Sequence, residues 1–269
     1  MGKIFKALEK SEKEVNPLHP RDDEKKGPSQ SKKTDLRQGR FHSTKTLDVI
    51  SSQKPHSFEA EQFRVLKNTL MFPETGEPPK TIMVTSATRG EGKSFVTSNL
   101  AVSIASSIDE HVLLIDCDLH KPSIHQIFRC ANDKGLSSFL THGGPLSSFM
   151  IKTGLNKLTI IPGGKTPNNP SELISSEQMR RLISEAKMRY EDRYILIDTP
   201  PTLITSETNA LAKHVDGILL VVKHGYTRKD HIQEIVDTHG KEKILGVVYN
   251  FVKDRFGRNY QNNSIYGYT

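Results

Sequence analysis

A short loop between an apolar strand and a helix constrains the fold of this 269-residue chain more than any other segment. The apolar run Thr81–Thr85 leads into Ala87–Ser94, which reads Ala-Thr-Arg-Gly-Glu-Gly-Lys-Ser. This is the Walker A pattern of phosphate-binding loops, with alanine in the first glycine slot. Gly90 and Gly92 allow the backbone to curl so that its N–H groups point inward, and the following helix presents its positive end to the same anion. Since both strand and helix are present, the segment predicts a nucleotide-binding α/β domain and not a chance Gly-Lys-Ser turn.

Strands and helices alternate along the chain around this loop. Most of the predicted strands are continuous Val/Ile/Leu runs, which is typical of strands covered on both faces of a parallel sheet. The predicted strands are Thr81–Thr85, Val112–Ile115, Leu158–Ile161, Tyr194–Ile197, Ile218–Val222 and Ile244–Val248. The predicted helices include one that starts near Phe58 and ends before Pro73, and the stretches Lys93–Ser107, Ser176–Tyr190 and Ser206–His214. This pattern predicts an open, mostly parallel β-sheet sandwiched by helices, although it leaves the strand order undetermined.

Two of the predicted strands end in carboxylates. Asp116 and Asp118 follow one strand, and along an extended chain their side chains point the same way. Asp198 follows another strand. Ligands bind at the strand ends of open parallel sheets, and desolvated carboxylates there are costly unless a cation or hydrogen-bond donors compensate them. A single aspartate at a strand end is often only a helix N-cap, but three of them beside a phosphate-binding loop predict a Mg²⁺ site.

Composition restricts the cellular compartment and the classes of partner that the sequence predicts. The only two cysteines, Cys117 and Cys130, share no metal-ligand spacing and are too few for a disulfide framework, which favours a reducing, cytoplasmic setting. No apolar run approaches the ~20 residues of a transmembrane helix. Of the formal net charge of +7, a net +5 lies in residues 1–45, where 12 Lys and Arg stand against 7 Asp and Glu. A solvated tail explains this charge better than nucleic-acid binding, because the rest of the chain has no basic stripe rich in aromatic residues.

The motifs together resemble those of the bacterial tyrosine kinases of polysaccharide synthesis and export. That family belongs to the MinD/ParA-like branch of P-loop nucleotide hydrolases, which carry deviant Walker motifs. The resemblance runs from about Phe58 to the C-terminus. It rests on Ala87–Ser94 as Walker A, Leu113–Asp118 as Walker A′ and Ile195–Pro200 as Walker B.

Two further stretches fit the same family. Glu61, Arg64 and Lys67 match the ExxRxx(R/K) helix that the family uses for self-assembly, so the resemblance implies a homo-oligomer, most simply a ring of subunits. Pro167–Leu173, with its Asn-Pro-Ser-Glu-Leu core, resembles a loop typical of the family.

Two features separate this chain from the partition and division ATPases of the same branch. Those ATPases carry a signature lysine early in the P-loop, where this chain has Thr88. The chain also ends in a segment with Tyr260, Tyr266 and Tyr268, and the bacterial tyrosine kinases end in a tyrosine cluster that is their own substrate. The resemblance therefore implies autophosphorylation of these three tyrosines, although a tail that merely contains tyrosines is the simpler alternative.

The resemblance also implies chemistry with ATP and Mg²⁺ and roles for the motif residues. It implies Ser94, Asp116 and Asp198 as the residues around Mg²⁺, directly or through water. Lys93 and the loop amides then neutralise charge on the transferred phosphoryl group, and Asp118 is the candidate base for a tyrosine hydroxyl, whose pKa is ~10. The implied catalytic residues are Lys93, Asp116, Asp118 and Asp198. The implied ATP-binding residues are Thr88, Arg89, Gly90, Glu91, Gly92, Lys93, Ser94, Phe95 and, after the last strand, Asn250.

The chain departs from the family pattern at two places. The family usually has arginine two residues after the second Walker A′ aspartate, whereas this chain has His120 followed by Lys121 and Pro122. A histidine is a weaker and pH-dependent cation, so either Lys121 compensates or turnover differs. The tyrosine cluster is also sparser than in many members of the family.

The composition and the family resemblance together predict the domain organisation of the chain and its partners. Residues 1–56 are expected to be a basic tail and linker, in which Gly2–Glu14 has the apolar spacing of a short amphipathic helix. Residues 57–255 form the expected kinase domain and residues 256–269 the tyrosine tail. The resemblance implies a cytoplasmic protein recruited to the membrane by a separate partner, a membrane-embedded protein of polysaccharide chain-length control or export that activates the kinase.

Two other functions stay open at this stage. The first is a MinD/ParA-like ATPase switch that uses water as the phosphoryl acceptor, which Thr88 and the tail tyrosines disfavour. The second is a non-catalytic, nucleotide-dependent scaffold of the export machinery. The intact set of Lys93, Asp116, Asp118 and Asp198 disfavours the scaffold.

Overall fold

A mostly parallel β-sheet forms the centre of the part of the chain that this computed structural model describes, residues 49–188 and 193–252. Within those residues, seven strands form one sheet in the order β3-β4-β2-β5-β1-β6-β7. They are β1 (Thr81–Ser86), β2 (His111–Asp116), β3 (Ile151–Lys152), β4 (Leu158–Ile161), β5 (Arg193–Asp198), β6 (Gly217–Lys223) and β7 (Ile244–Asn250). Every neighbouring pair is parallel except β3 with β4, which confirms the mostly parallel sheet.

Helices cover both faces of this sheet. They are α1 (Ile50–Gln53), α2 (Phe58–Met71), α3 (Lys93–Ala105), α4 (Ile124–Ile127), α5 (Leu136–His142), α6 (Pro170–Ile174), α7 (Glu177–Lys187), α8 (Ser206–Ala212) and α9 (Lys229–His239), with 3-10 turns at Leu146–Phe149 and Lys241–Lys243. In the described part of the chain, no helix is both long and apolar enough to span a bilayer.

Successive residues of each central strand enter two different cores. In β1, Met83 packs into a cluster with Leu182 of α7, while its neighbours Ile82 and Val84 pack into a second cluster with Leu100 of α3. Because side chains alternate across a strand, only a strand apolar at every position fills both cores. The continuous Val/Ile/Leu runs of the sequence are thereby explained.

All six predicted strands are confirmed to within two residues at each end, and the four predicted helices are present with somewhat shorter ends. The structure adds elements too short for a clear period, such as β3 and α4. It also shows that β7 is an edge strand, on which Val247 and Tyr249 are exposed, so coverage of both faces does not extend to it.

Packed structure begins before the expected domain boundary at residue 57. Val49 is fully buried in the core beside α2 and α3, and Asn99 of α3 accepts hydrogen bonds from the backbone N–H (3.0 Å) and the hydroxyl (3.2 Å) of Ser51. The segment Gly2–Glu14 and the expected tail 256–269 lie outside the described residues.

The start of β1 is fixed by the carboxylate of Asp216, which directly precedes β6. This carboxylate accepts hydrogen bonds from the backbone N–H groups of Lys80 (3.1 Å) and Thr81 (2.9 Å), and it also pairs with the ammonium group of Lys187. Partial burial raises the pKa of Asp216, but the hydrogen bonds from Lys187 and from the Thr81 N–H outweigh that effect and leave the pKa below its ordinary value.

We predict that Asp216→Asn lowers the free energy of unfolding by about 1 kcal/mol at neutral pH, because the neutral amide is a weaker acceptor. Since the folded-state pKa is the lower one, the carboxylate stabilises the fold above the unfolded-state value of ~3.9, and this stability is lost as the pH falls through the folded-state pKa. Urea denaturation should therefore show a deficit that shrinks in acid. Equal stability at neutral pH, or a deficit that persists in acid, contradicts the prediction; Asp109→Asn, on an exposed turn, is the control.

Candidate nucleotide-binding site

The loop between β1 and α3 has the curled backbone that phosphate binding requires. Gly90 and Gly92 adopt positive φ angles of 79° and 90°, a region that favours glycine. At Gly92 a side chain is also excluded by space, because a Cβ there would lie 2.0 Å from Nδ2 of Asn250. The first turn of α3 begins at Lys93, so the free N–H groups of the loop and helix face the same volume.

A buried carboxylate braces this loop from within. Glu91 has no exposed surface, and its carboxylate accepts hydrogen bonds from the N–H of Ala87 (3.2 Å) and the hydroxyls of Thr88 (2.7 Å) and Thr227 (2.9 Å). Because Thr227 follows β6, the carboxylate ties the start of the loop to the segment after that neighbouring strand. Glu91, predicted as an ATP-binding residue, thus contributes its side chain to the rigidity of the loop.

Asn250 braces the same loop from the end of β7. Its Nδ2 donates to the carbonyl oxygen of Glu91 (3.0 Å), and its Oδ1 accepts from the N–H of Phe251 (2.9 Å). Both ends of the amide therefore have protein partners within the site. The resemblance implied Asn250 as an ATP-binding residue, and the structure places it against the backbone of the P-loop.

The Walker B aspartate meets the start of α3. Asp198 is fully buried at the end of β5, where Oδ2 accepts from the hydroxyl of Ser94 (2.5 Å) and Oδ1 from that of Thr97 (3.2 Å). Burial raises the pKa of Asp198 to about 6 even though the positive charge of Lys93 and the hydroxyl of Ser94 oppose the shift. Thr97 was missed by sequence reasoning, although it lies one helical turn after Ser94 and so shares its face.

The two Walker A′ aspartates have different surroundings. Asp116 ends β2 fully buried, and its carboxylate accepts from the N–H groups of Ser123 (3.0 Å), Ile124 (3.1 Å) and Asp118 (3.3 Å). Burial, and next the charge of Asp198, raise its pKa well above the ordinary value. Asp118 retains 9% exposure and lies beyond the strand, with Oδ2 4.0 Å from the ammonium nitrogen of Lys93.

The donor set fits a hard cation. Carboxylate and hydroxyl oxygens are the protein ligands that Mg²⁺ accepts, usually beside phosphate oxygens and water. In residues 49–188 and 193–252, no group of three or more His, Cys, Asp or Glu side chains is arranged to hold a metal by itself. Ser94, Asp116 and Asp198 therefore suit a cation that arrives with phosphate, and a cation would relieve the cost of burying two neighbouring carboxylates.

The remaining predicted residues fall into three groups. Arg89 is exposed at the loop tip, whereas Phe95 turns towards α2 and packs edge-on against Phe63, with ring centroids 6.1 Å apart. Glu61, Arg64 and Lys67 lie on α2, away from the loop; they are described with the proposed function below. The tyrosines Tyr260, Tyr266 and Tyr268 lie outside the described residues.

Comparison with known proteins first defines the class of this domain. Residues 79–243 match the family model described as AAA domain. The septum site-determining protein MinD of Pyrococcus horikoshii, solved with Mg-ADP, is 20% identical over 66% of this chain and 71% of that chain, with a TM-score of 0.53. At that identity the likeness shows the fold alone: a P-loop nucleotide-binding domain of the MinD type.

Tyrosine kinases match at higher identity. Tyrosine-protein kinase YwqD of Bacillus subtilis is 34% identical over 82% of this chain and 90% of its own length. The solved kinase domain of Escherichia coli tyrosine kinase ETK is 31% identical with a TM-score of 0.73, covering 80% of this chain and 84% of that one. The chimerical protein CapA2B2 is 31% identical with a TM-score of 0.70, over 77% and 91% of the two chains. The chain therefore belongs to the bacterial tyrosine kinase family, and its enzyme class is that of the protein-tyrosine kinases.

We predict graded effects from substitutions of Glu91. Glu91→Ala removes the acceptor for three donors, and we expect ADP binding to weaken about tenfold and the free energy of unfolding to fall by about 2 kcal/mol. Glu91→Gln keeps an oxygen for the two hydroxyls and loses only the bond from the Ala87 N–H, so its effects should lie between those of wild type and alanine.

Isothermal titration calorimetry and thermal unfolding measure these two quantities. Glu74→Ala, an exposed position before β1, is the matched control and should leave both unchanged. If Glu91→Ala binds ADP as tightly as wild type, the carboxylate does not hold the loop in its binding conformation.

Proposed function

We propose that this protein binds ATP with Mg²⁺ at the β1–α3 loop and transfers the γ-phosphoryl group to tyrosines of its own C-terminal tail, Tyr260, Tyr266 and Tyr268. One observation carries the proposal: Lys93, Ser94 and three aspartates that follow two adjacent strands, β2 and β5, converge at the carboxyl edge of the sheet. A loop that only held nucleotide has no need of Asp118, which lies beside Lys93 and outside the hydroxyl contacts of Asp198.

Asp118 is better suited than Asp116 to accept the tyrosine proton. Both oxygens of Asp116 are occupied by backbone N–H donors and its side chain is fully buried. Among residues 49–188 and 193–252, Asp118 accepts one backbone hydrogen bond, from the N–H of Lys121 (3.1 Å) to Oδ1, and Oδ2 faces Lys93. In the proposed reaction, Asp118 takes the phenolic proton as the tyrosine oxygen bonds to the γ-phosphorus and ADP departs.

Lys93 and the loop N–H groups stabilise the charge that develops during this transfer. Lys93 is only 7% exposed, so the interactions of its ammonium group with phosphate are weakly screened by water. Bound Mg²⁺ would supply neutralisation of the β- and γ-phosphate oxygens, held by Ser94, Asp116 and Asp198 directly or through water.

The acceptor tyrosine belongs, in this proposal, to a neighbouring copy in a homo-oligomer. The surface that would join the copies is α2. Glu61 and Arg64 pair with each other there (Nε to Oε2, 2.6 Å), Arg64 also donates to the carbonyl of Pro55 (2.7 Å), and Lys67 donates to Ser107 (3.3 Å). Beside them Phe58 and Val65 are exposed. Charged side chains around exposed apolar residues support a surface that pairs with a second copy.

The proposed setting is the inner face of the membrane, where a separate membrane-embedded protein of polysaccharide chain-length control or export recruits and activates the kinase. The proposed biological role is the regulation of exopolysaccharide or capsule synthesis through cycles of tail phosphorylation. No nucleic-acid partner is proposed.

A MinD/ParA-like ATPase switch is the second candidate, because the fold is shared with MinD. Against it, the slot of the signature lysine holds Thr88, whose hydroxyl is committed to Glu91 (2.7 Å). A non-catalytic scaffold is the third candidate and would leave the Lys93–Asp118 contact without a purpose.

Intact-mass spectrometry after incubation with MgATP tests the proposal. We predict a mass gain of one or more phosphates that maps to Tyr260, Tyr266 or Tyr268 and is absent from Lys93→Met, because the variant lacks the cation that stabilises the transferred group. ADP release without a mass gain supports the ATPase switch instead. The absence of both products, with and without a membrane activator, supports the scaffold.

A mixing experiment tests transfer between copies. We predict that a Lys93→Met chain with a distinguishing mass tag gains phosphate when it is mixed with wild type, because its tail remains a substrate although its own site is inactive. Arg64→Ala in both chains should slow this transfer and reduce the sedimentation coefficient, while a control change, Lys229→Ala on α9, should not. Phosphate found only on the wild-type chain contradicts transfer in trans.

A further inference from the structure

A buried glutamate outside the Walker motifs joins its own helix, α8, to the Walker A′ loop and to helix α6. Glu207 lies in the first turn of α8 and is only 1% exposed. Its Oε1 is 2.7 Å from Nε2 of His120, and its Oε2 accepts from the hydroxyl of Ser171 (2.9 Å). His120 belongs to the Walker A′ loop and Ser171 to α6 in the Asn-Pro-Ser-Glu-Leu stretch. Because a carboxylate only accepts, Nε2 of His120 carries the hydrogen.

The helix that carries Glu207 is itself fixed to the Walker B segment. The hydroxyl of Thr208 donates to the carbonyl oxygen of Pro200 (3.1 Å), two residues after Asp198. Thr208 is fully buried, so this bond is shielded from water. Glu207 is therefore held at a set position relative to the loop that follows Asp198.

His120 lies in the turn that carries the proposed base. The N–H of Lys121 donates both to the backbone carbonyl (3.1 Å) and to Oδ1 (3.1 Å) of Asp118, which closes a tight turn over residues 118–121. The imidazole gives this turn a polar contact with α8, beside Leu119, which shares an apolar cluster with Leu211 and Ala212 of that helix. A displacement of His120 would rotate the turn and move the Asp118 carboxylate relative to Lys93.

We propose that Glu207 is a positioning residue for phosphoryl transfer, which acts through His120 to hold the Asp118 carboxylate in place. The inference rests on the proposed role of Asp118 as the base. Glu207 is not one of the residues proposed above to contact the nucleotide or the acceptor tyrosine. Glu207 couples the segment after Walker B to the Walker A′ turn, so that the carboxylates of Asp198 and Asp118 keep a fixed position relative to each other. The buried glutamate gives His120 a partner inside the protein.

Two quantities measured on the full-length chain test this inference. They are the rate of tyrosine phosphorylation at saturating ATP and the ATP concentration that gives half of that rate. Glu207→Leu has a similar volume and no acceptor, and His120→Ala removes the same contact from its partly exposed side. We expect each to lower the maximal rate about tenfold or more and to change the half-saturating ATP concentration less than about threefold, because misplacement of a reacting group costs rate and not binding.

Non-additivity and rescue separate positioning from general damage. The double variant should be no slower than either single one, because both remove the same contact. Glu207→Gln, whose amide accepts from His120 and donates to Ser171, should regain most of the rate. The control is Asn209→Ala on the same helix, which removes a comparable hydrogen bond, from Thr202 (2.9 Å), without reaching the Walker A′ turn; it should leave the rate unchanged.

Hydrogen exchange gives a readout that is independent of activity. The Lys121 N–H should exchange faster in Glu207→Leu and His120→Ala but not in Glu207→Gln, even if wild type shows no transfer and the proposed function fails. Wild-type rates together with unchanged Lys121 exchange in both variants overturn the inference, as do rate losses that multiply in the double variant.

Discussion

The burial of two neighbouring carboxylates, Asp116 and Asp198, is the constraint on which the rest of the site depends. They end adjacent strands, paired in register, and both are fully removed from water. Burial raises the pKa of both carboxyl groups, and the pair is costly unless donors and a cation lie close. The chain supplies backbone N–H groups to Asp116, hydroxyls to Asp198 and the ammonium group of Lys93, and these partners determine where α3 and the Walker A′ turn must lie.

Rigidity around this pair comes from distant parts of the chain. The P-loop is braced from within by Glu91, from the turn after β6 by Thr227 and from the end of β7 by Asn250. Each brace uses a buried or half-buried polar group that satisfies a loop donor or acceptor, so the loop is already curled for phosphate. Preorganisation of this kind reduces the free energy lost when a charged ligand is bound.

Most of the fold, and the part of the site that the Walker motifs form, could be predicted from the sequence. Continuous apolar runs located six strands because a strand buried on both faces can tolerate few polar residues. The four-residue α4 was beyond sequence reasoning, since it is too short to show a helical period. The partners of Glu91, Asn250 and Glu207 were also beyond it: Glu207 meets His120 across 87 positions and Asn250 meets Glu91 across 159, and spacing along the chain carries no signal for such pairs.

If the buried carboxylates Asp116 and Asp198 hold a cation that arrives with the nucleotide, as proposed, ADP affinity must depend on Mg²⁺. A calorimetric titration with ADP in the presence of Mg²⁺ or of a chelator measures that dependence. We expect Mg²⁺ to tighten ADP binding to the wild-type chain about tenfold or more, and Asp198→Asn to remove most of this gain. Equal ADP affinity with and without Mg²⁺ in the wild-type chain, or an undiminished Mg²⁺ effect in Asp198→Asn, would contradict the account.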